Sequence, residues 1–149
     1  SEPLLIEKNV FMVRKDSNIT YEGDMRKLSH YGIGTLIGYT TLDKYMENKI
    51  ISTVDKSANV EASLNKLISG ERQVDLVVNT DYILWYTAKK MNIMDSVKEL
   101  PFPLAETPSY LAFNKEKDYT QVMAKFETEL KKMKNDGTYQ QIIEKYIGK

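Results

Sequence analysis

The sequence predicts an α/β fold: a small doubly wound parallel sheet of strand order 2-1-3, with crossover strands and two C-terminal helices. Three observations predict it. Short, β-branched apolar runs alternate with helical patterns across the first two thirds of the chain. Pro101, Pro103 and Pro108 then exclude helix from 101–113, so the chain crosses there in extended form. The tail carries two amphipathic helices joined at Gly137.

The elements follow in order. Residues 8–17 read as a strand leading into the sheet. The run 33–37 is the first sheet strand, and 41–48 the helix after it. Residues 50–54 are β-branched and read as the second strand. A helix over 58–69 sets Val60, Leu64, Leu67 and Ile68 on one face, with Gly70 just past its end. Residues 74–78 make the third strand and 80–91 the next helix, capped by Thr80. Order 2-1-3 puts strands one and three side by side, with helices leaving toward opposite faces. Their C-terminal ends then flank a topological switch point, the usual ligand crevice. In the tail, Val122, Met123, Phe126, Leu130 and Met133 recur at helical spacing. Gly137 stops that helix, and Thr138 caps a second one whose apolar face is Ile142, Ile143, Tyr146 and Ile147.

Composition narrows the function classes. A chain of 149 residues, 42% of them hydrophobic, is the size of one domain and can bury a core. Lysine plus arginine and aspartate plus glutamate both number 21, which argues against nucleic acid and against a polybasic membrane patch. No apolar run approaches the roughly 18 residues of a transmembrane helix. Without cysteine there is no disulfide, thiol nucleophile or cysteine-based zinc site, and His30 is the one histidine. We expect no cofactor and no metal. Nor is there a Gly-x-Ser-x-Gly, a His-Glu-x-x-His or a phosphate-binding loop, so the expectation is a binding protein and not an enzyme.

Residues 130–146 carry the most specific pattern. The word Asp136-Gly137-Thr138-Tyr139, two residues, Ile142, two residues, Lys145-Tyr146 resembles the C-terminal signature of the bacterial extracellular solute-binding proteins of family 3. Four further segments agree in order and spacing. Ser1-Glu2-Pro3-Leu4 resembles the family's Phe-Ser-x-Pro-Tyr motif at the end of its first lobe. Residues 8–17 resemble its first crossover strand, 70–78 its Gly-Arg-x-Asp-hydrophobic segment, and 107–115 its return crossover. The resemblance implies a lobe of a type II periplasmic binding protein. Residues 1–15 would be the first crossover and a remnant of lobe 1, 16–105 lobe 2, and 106–149 the return crossover with the C-terminal helices. It also implies a small polar ligand such as an amino acid, an ABC permease as partner of the full-length protein, and a periplasmic or other extracytoplasmic location. The family's N-terminal lobe segment is not matched. An interaction or sensory lobe that has lost small-ligand binding is the alternative. Because the tail helices of the family pack largely against lobe 1, we also expect a homodimer, joined through Phe126, Leu130, Met133, Ile142 and Ile143.

Two segments are candidate ligand sites. Gly38, Tyr39, Thr40 and Thr41 follow the first strand, where glycine permits a tight turn and helix-start amides suit a carboxylate. Thr40 and Thr41 serve equally well as ordinary helix caps. In the family, the threonine of a Gly-x-Thr turn contacts the α-carboxylate of a bound amino acid, and it matches Thr40. Asn79, Thr80 and Asp81 follow the third strand in the same way. The family's acid for the ligand's α-ammonium matches Thr80, so either Asp81 reaches in or the ligand lacks an α-ammonium. A first-turn carboxylate such as Asp81 is also stabilised by the helix dipole alone.

Other features take ordinary readings. Gly32, Gly34 and Gly38 with Asp55 imitate a dinucleotide fingerprint but lack the strand that must precede the first glycine. Trp85 and Tyr86 read as packing on the sheet, and Phe11, Tyr110 and Phe113 as packing around the crossovers. His30 and the run Lys131, Lys132, Lys134 read as solvated.

Overall fold

The computed structural model describes residues 2–70 and 73–147. Ser1 of the N-terminal motif, Arg72 of the Gly-Arg segment and the Ile147 side chain lie outside the described residues. The chain divides into two compact units, Lys8–Ala105 and a second made of Ser1–Glu7 with Glu106–Lys149.

The first strand, β1 (Leu5–Arg14), is followed by a 3₁₀ turn at Met25–Leu28 and by β2 (Ile33–Leu36). Then come α1 (Asp43–Glu47), β3 (Val54–Ser57), α2 (Val60–Ser69), β4 (Leu76–Thr80) and α3 (Asp81–Lys90). A further 3₁₀ turn at Met94–Ser96 leads to β5 (Val97–Glu99), β6 (Ala105–Ser109), α4 (Thr120–Asp136) and α5 (Thr138–Ile147). The sheet runs β3-β2-β4-β1-β5, with β6 also paired to β1. Strands β3, β2 and β4 are parallel neighbours, the expected 2-1-3 arrangement. Strand β1 is antiparallel to both β4 and β5. This is the α/β lobe architecture that the sequence predicts, with a mixed sheet in place of a purely parallel one.

Strand periodicity builds two cores, one on each face. In β1, Phe11 and Val13 point to one side, Val10 and Met12 to the other. In β4, Leu76 and Val78 join the first set and Val77 the second. The first face is covered by Tyr21, Met25, Leu28, Leu42 and Ile51, so α1 lies on that side. Phe11 and Tyr21 meet edge to face, with ring centroids 4.9 Å apart. The second face is covered by α2 through Leu64 and Leu67, and by α3 through Leu84 and Ala88. The helices after β2 and β4 therefore leave toward opposite faces, as a doubly wound sheet requires.

Several boundaries differ from the sequence reading: the third parallel strand is Leu76–Thr80, not 74–78, so Asn79 and Thr80 belong to the strand and do not follow it. The second parallel strand is Val54–Ser57, not 50–54. Ile51 is buried in the first core, and the amides of Ile50 and Ile51 both bond to the Tyr45 carbonyl. The apolar pair thus plugs the end of α1. The true strand lies at the sheet edge, where only part of its surface is covered. Helix α1 is five residues and not eight, because Leu42 sinks into the core ahead of it. Thr138 is the first residue of α5, not its cap: its amide donates to the Asp136 carboxylate at 2.9 Å. The Thr138 hydroxyl and then its amide, both donating to Asp136, hold that carboxyl below the usual carboxylate range.

In the second unit, α4 and α5 pack together and α4 ends at Gly137. Leu130 is buried, while Leu4, Leu5, Phe126, Met133, Tyr139 and Ile143 wall a wholly apolar groove of about 300 Å³. Lys134 is not simply solvated. Its ammonium donates to Glu2 at 3.0 Å and to the Pro3 carbonyl at 2.7 Å, lowering the Glu2 carboxyl's pKa.

The seam between β2 and β4 is unusually close. The Gly32 amide donates to Asp75 Oδ2 at 2.9 Å, and the Gly32 carbonyl accepts from Asp75 N at 2.8 Å and Leu76 N at 3.2 Å. A Cβ on Gly32 would lie 1.6 Å from the Gln73 carbonyl oxygen. A Cβ on Gly38 meets nothing within 4 Å, although its φ of +82° disfavours other residues. The glycine series that imitates a nucleotide loop is thus explained by packing and a turn. Gly32→Ala should cost on the order of 3 kcal/mol by overpacking against backbone. Gly38→Ala should cost about 1 kcal/mol for the left-handed conformation. Urea titration of the two variants checks this: equal midpoints would contradict the seam as described.

Candidate functional site

Because β2 and β4 are parallel neighbours, the turn that leaves the C-terminal end of β2 lies beside the last residues of β4, Asn79 and Thr80, and the start of α3 at Asp81. The first is a tight turn. The Tyr39 amide donates to the Leu36 carbonyl at 3.1 Å, and Gly38 holds φ at +82°, as the third residue of a type II turn requires. The Ile37 amide donates to the Ser57 carbonyl at 3.0 Å, which ties this turn to the end of β3. Thr40 is exposed and its carbonyl accepts the Asp43 amide at 3.0 Å; Thr41 is half-buried.

The ordinary reading of these threonines as caps does not hold. The cap position of α1 falls on Leu42, without a side-chain bond to the helix amides. A helix of five residues also contributes little dipole, so any anion here would depend on the turn's own amides and hydroxyls.

The second segment is buried. Asn79, Thr80 and Asp81 are all under one tenth exposed. Asn79 Oδ1 accepts the Thr80 amide at 2.7 Å. Asp81 Oδ1 accepts the Tyr82 amide at 2.9 Å and the Lys8 amide at 3.4 Å. Its carboxylate therefore fastens the first turn of α3 to β1. Thr80 occupies the cap position of α3 but makes no side-chain cap bond. Asp81 already satisfies a first-turn amide, so the Thr80 hydroxyl is not needed for that purpose.

One residue at this end escaped the sequence reading. β1 is antiparallel to β4, and its register sets Asn9 opposite Thr80. The Tyr39 hydroxyl donates to the Asn9 side-chain oxygen. The available signal was a lone amide at the head of the apolar run Val10-Phe11-Met12-Val13. Reading it required knowing that β1 pairs with β4.

The aromatic residues divide. Trp85 packs against the second core and donates its indole N–H to Glu99 Oε2 at 2.5 Å, which links α3 to β5. Tyr86, expected on the sheet, is 52% exposed, because it follows Trp85 around the helix. Phe11 is buried as expected, whereas Tyr110 is half open. His30 is exposed. Among the described residues, no three His, Cys, Asp or Glu side chains are grouped so as to hold a metal ion.

Comparison with solved structures places the fold. The L-cystine solute receptor of Neisseria gonorrhoeae matches with a TM-score of 0.77 at 20% identity, over 100% of this chain and 59% of that one. An ancestral cationic amino acid solute-binding protein matches with a TM-score of 0.74 at 22% identity, over 99% and 61%. The second substrate binding domain of a candidate amino acid ABC transporter from Streptococcus pneumoniae matches with a TM-score of 0.72 at 21% identity, over 99% and 64%. This chain thus spans less than two thirds of each. No curated protein matches the sequence at a significant level. The family model for bacterial extracellular solute-binding proteins, family 3, matches residues 1–149. The chain belongs to that family.

Proposed function

We propose that this chain is the second lobe of a solute receptor that binds a small polar ligand, amino acid or related, between the ends of β2 and β4. The observation that carries the reading is the pair of adjoining segments, 38–41 and 79–81, whose threonine hydroxyls are not used as helix caps. Gly38, Tyr39, Thr40 and Thr41 would receive a carboxylate, and Asn79, Thr80 and Asp81 would frame the other end of the ligand. The similar proteins that are described as L-cystine and cationic amino acid receptors support an amino-acid-sized ligand. The similar substrate binding domain supports a place beside an ABC permease, and the family description supports work outside the cytoplasm, in a periplasmic or other extracytoplasmic location. Binding and not conversion is the proposed role, in line with the solute-binding family to which the chain belongs.

The second reading is a sensory or protein-interaction lobe without a small ligand. Thr80 favours it, standing where the family's ammonium-binding acid belongs, with Asp81 committed to backbone amides.

A thermal-shift panel of amino acids and small carboxylates, followed by calorimetry, separates the two. One lobe buries about half of a ligand, so affinity on the order of millimolar is expected. Thr40→Ala and Thr80→Ala should each weaken it about tenfold, the loss of one hydrogen bond to a charged group. Micromolar binding that survives both changes would refute the location, and silence across the panel would favour the interaction lobe.

The same reading includes a homodimer through the second unit. Of the residues expected at that interface, Ile142 is 43% exposed and lines the apolar groove with Phe126, Met133 and Ile143, whereas Leu130 is buried and offers no free face. Burial of such faces is worth about 25 cal/mol per Å². Size exclusion with light scattering should give twice the chain mass at high micromolar concentration, and Ile142→Glu should give the monomer. A monomeric wild type would end the dimer proposal.

A further inference from the structure

We propose that Asn9 is a positioning residue for the candidate ligand turn, acting through Tyr39. Three contacts converge on it. Its side-chain oxygen accepts the Tyr39 hydroxyl, from the turn after β2. Its backbone is paired with Thr80, the last residue of β4. Its carbonyl accepts the Leu104 amide at 2.7 Å, from the segment that leads into β6. One residue of β1 thereby joins both candidate ligand segments to the strand that passes beside them.

The mechanical argument is direct. The 38–41 turn hangs from β2 by its own Leu36–Tyr39 bond and from β3 by the Ile37–Ser57 bond. The first is internal to the turn, and the second lies on the side of the edge strand β3. Neither fixes the turn relative to β4, where Thr80 stands. The phenol of Tyr39 reaches across to Asn9, which is in register with Thr80, and supplies the missing constraint. A tyrosine suits this because a rigid ring spans the gap with two torsions to order. Tyr39 is thus a strut between the turn and β1. The spacing between the two segments would set which ligand length fits.

This rests on the proposed site only for its binding arm. Hydrogen exchange of the Ile37 and Tyr39 amides tests it without ligand, on the full chain. Tyr39→Phe removes only the hydroxyl and leaves the core untouched. It should speed exchange at both amides about fivefold, the magnitude of one neutral hydrogen bond, while β4 amides are unchanged. Asn9→Ala should do the same, and the double variant should add nothing further. Asn9→Asp keeps an acceptor oxygen and should restore slow exchange. If Tyr39→Phe leaves both amides at wild-type rates, or the two effects simply add, the proposal is overturned. If exchange couples as described while wild type binds no member of the ligand panel, the functional reading fails and the strut stands.

Discussion

The seam between β2 and β4 is the constraint from which the rest follows. Gly32 accepts two amides from the start of β4 and donates its own to Asp75, in a space that excludes even a methyl group. This fixes the register Ile33 to Leu76, and with it the level at which both strands end. The 38–41 turn and the 79–81 segment come side by side only because that register is set. Asp75, part of the family-like Gly-Arg-x-Asp segment, works here as a structural carboxylate. A buried amide that would otherwise lack a partner gains a charge-assisted one, among the stronger hydrogen bonds a fold can place.

The antiparallel β1 extends this seam in a second direction. It pairs with β4 over Asn9 to Val13 and alternates Phe11 and Val13 with Val10 and Met12 into opposite cores. Both cores therefore share one strand, and displacement of β1 would open both. Asp81 adds to the same joint, since its carboxylate accepts amides from α3 and β1 together. The far end of the parallel sheet is held differently, by a half-buried ion pair between Asp55 of β3 and Lys66 of α2. The pair ties the edge strand to the helix that covers it.

Much of this was legible in the sequence, for local reasons. Alternating apolar runs gave the parallel strands and their order, and Gly70 and Gly137 marked helix ends where the structure has left-handed residues. The family word near the C-terminus gave the lobe. What stayed hidden depends on partners distant in sequence. Ile50 and Ile51 have strand propensity but serve as core plugs beneath α1, because tertiary packing overrides a local preference. Asn9 and Tyr39 lie 30 residues apart and meet only once the sheet is assembled. Lys134 reads as one of several surface cations, yet it reaches Glu2 across 132 residues of sequence.

The treatment of helix starts separates the site from the scaffold. Where a helix begins away from the β2 and β4 ends, a side chain accepts one of its first amides. Asn59 accepts from Ala62 at 2.8 Å, Asp118 from Thr120 at 3.0 Å and Asp136 from Thr138 at 2.9 Å. Each such bond satisfies an amide that the helix itself leaves without a partner. At the two helices that border the crevice the hydroxyl-bearing residues do not act this way: α1 begins at Leu42, and α3 relies on Asp81 in place of Thr80. A fold selected only for stability would use a threonine at a cap as a cap. Thr40, Thr41 and Thr80 thus cap neither helix through their side chains, and the turn that carries two of them is tied to β1 by the hydrogen bond from Tyr39 to Asn9.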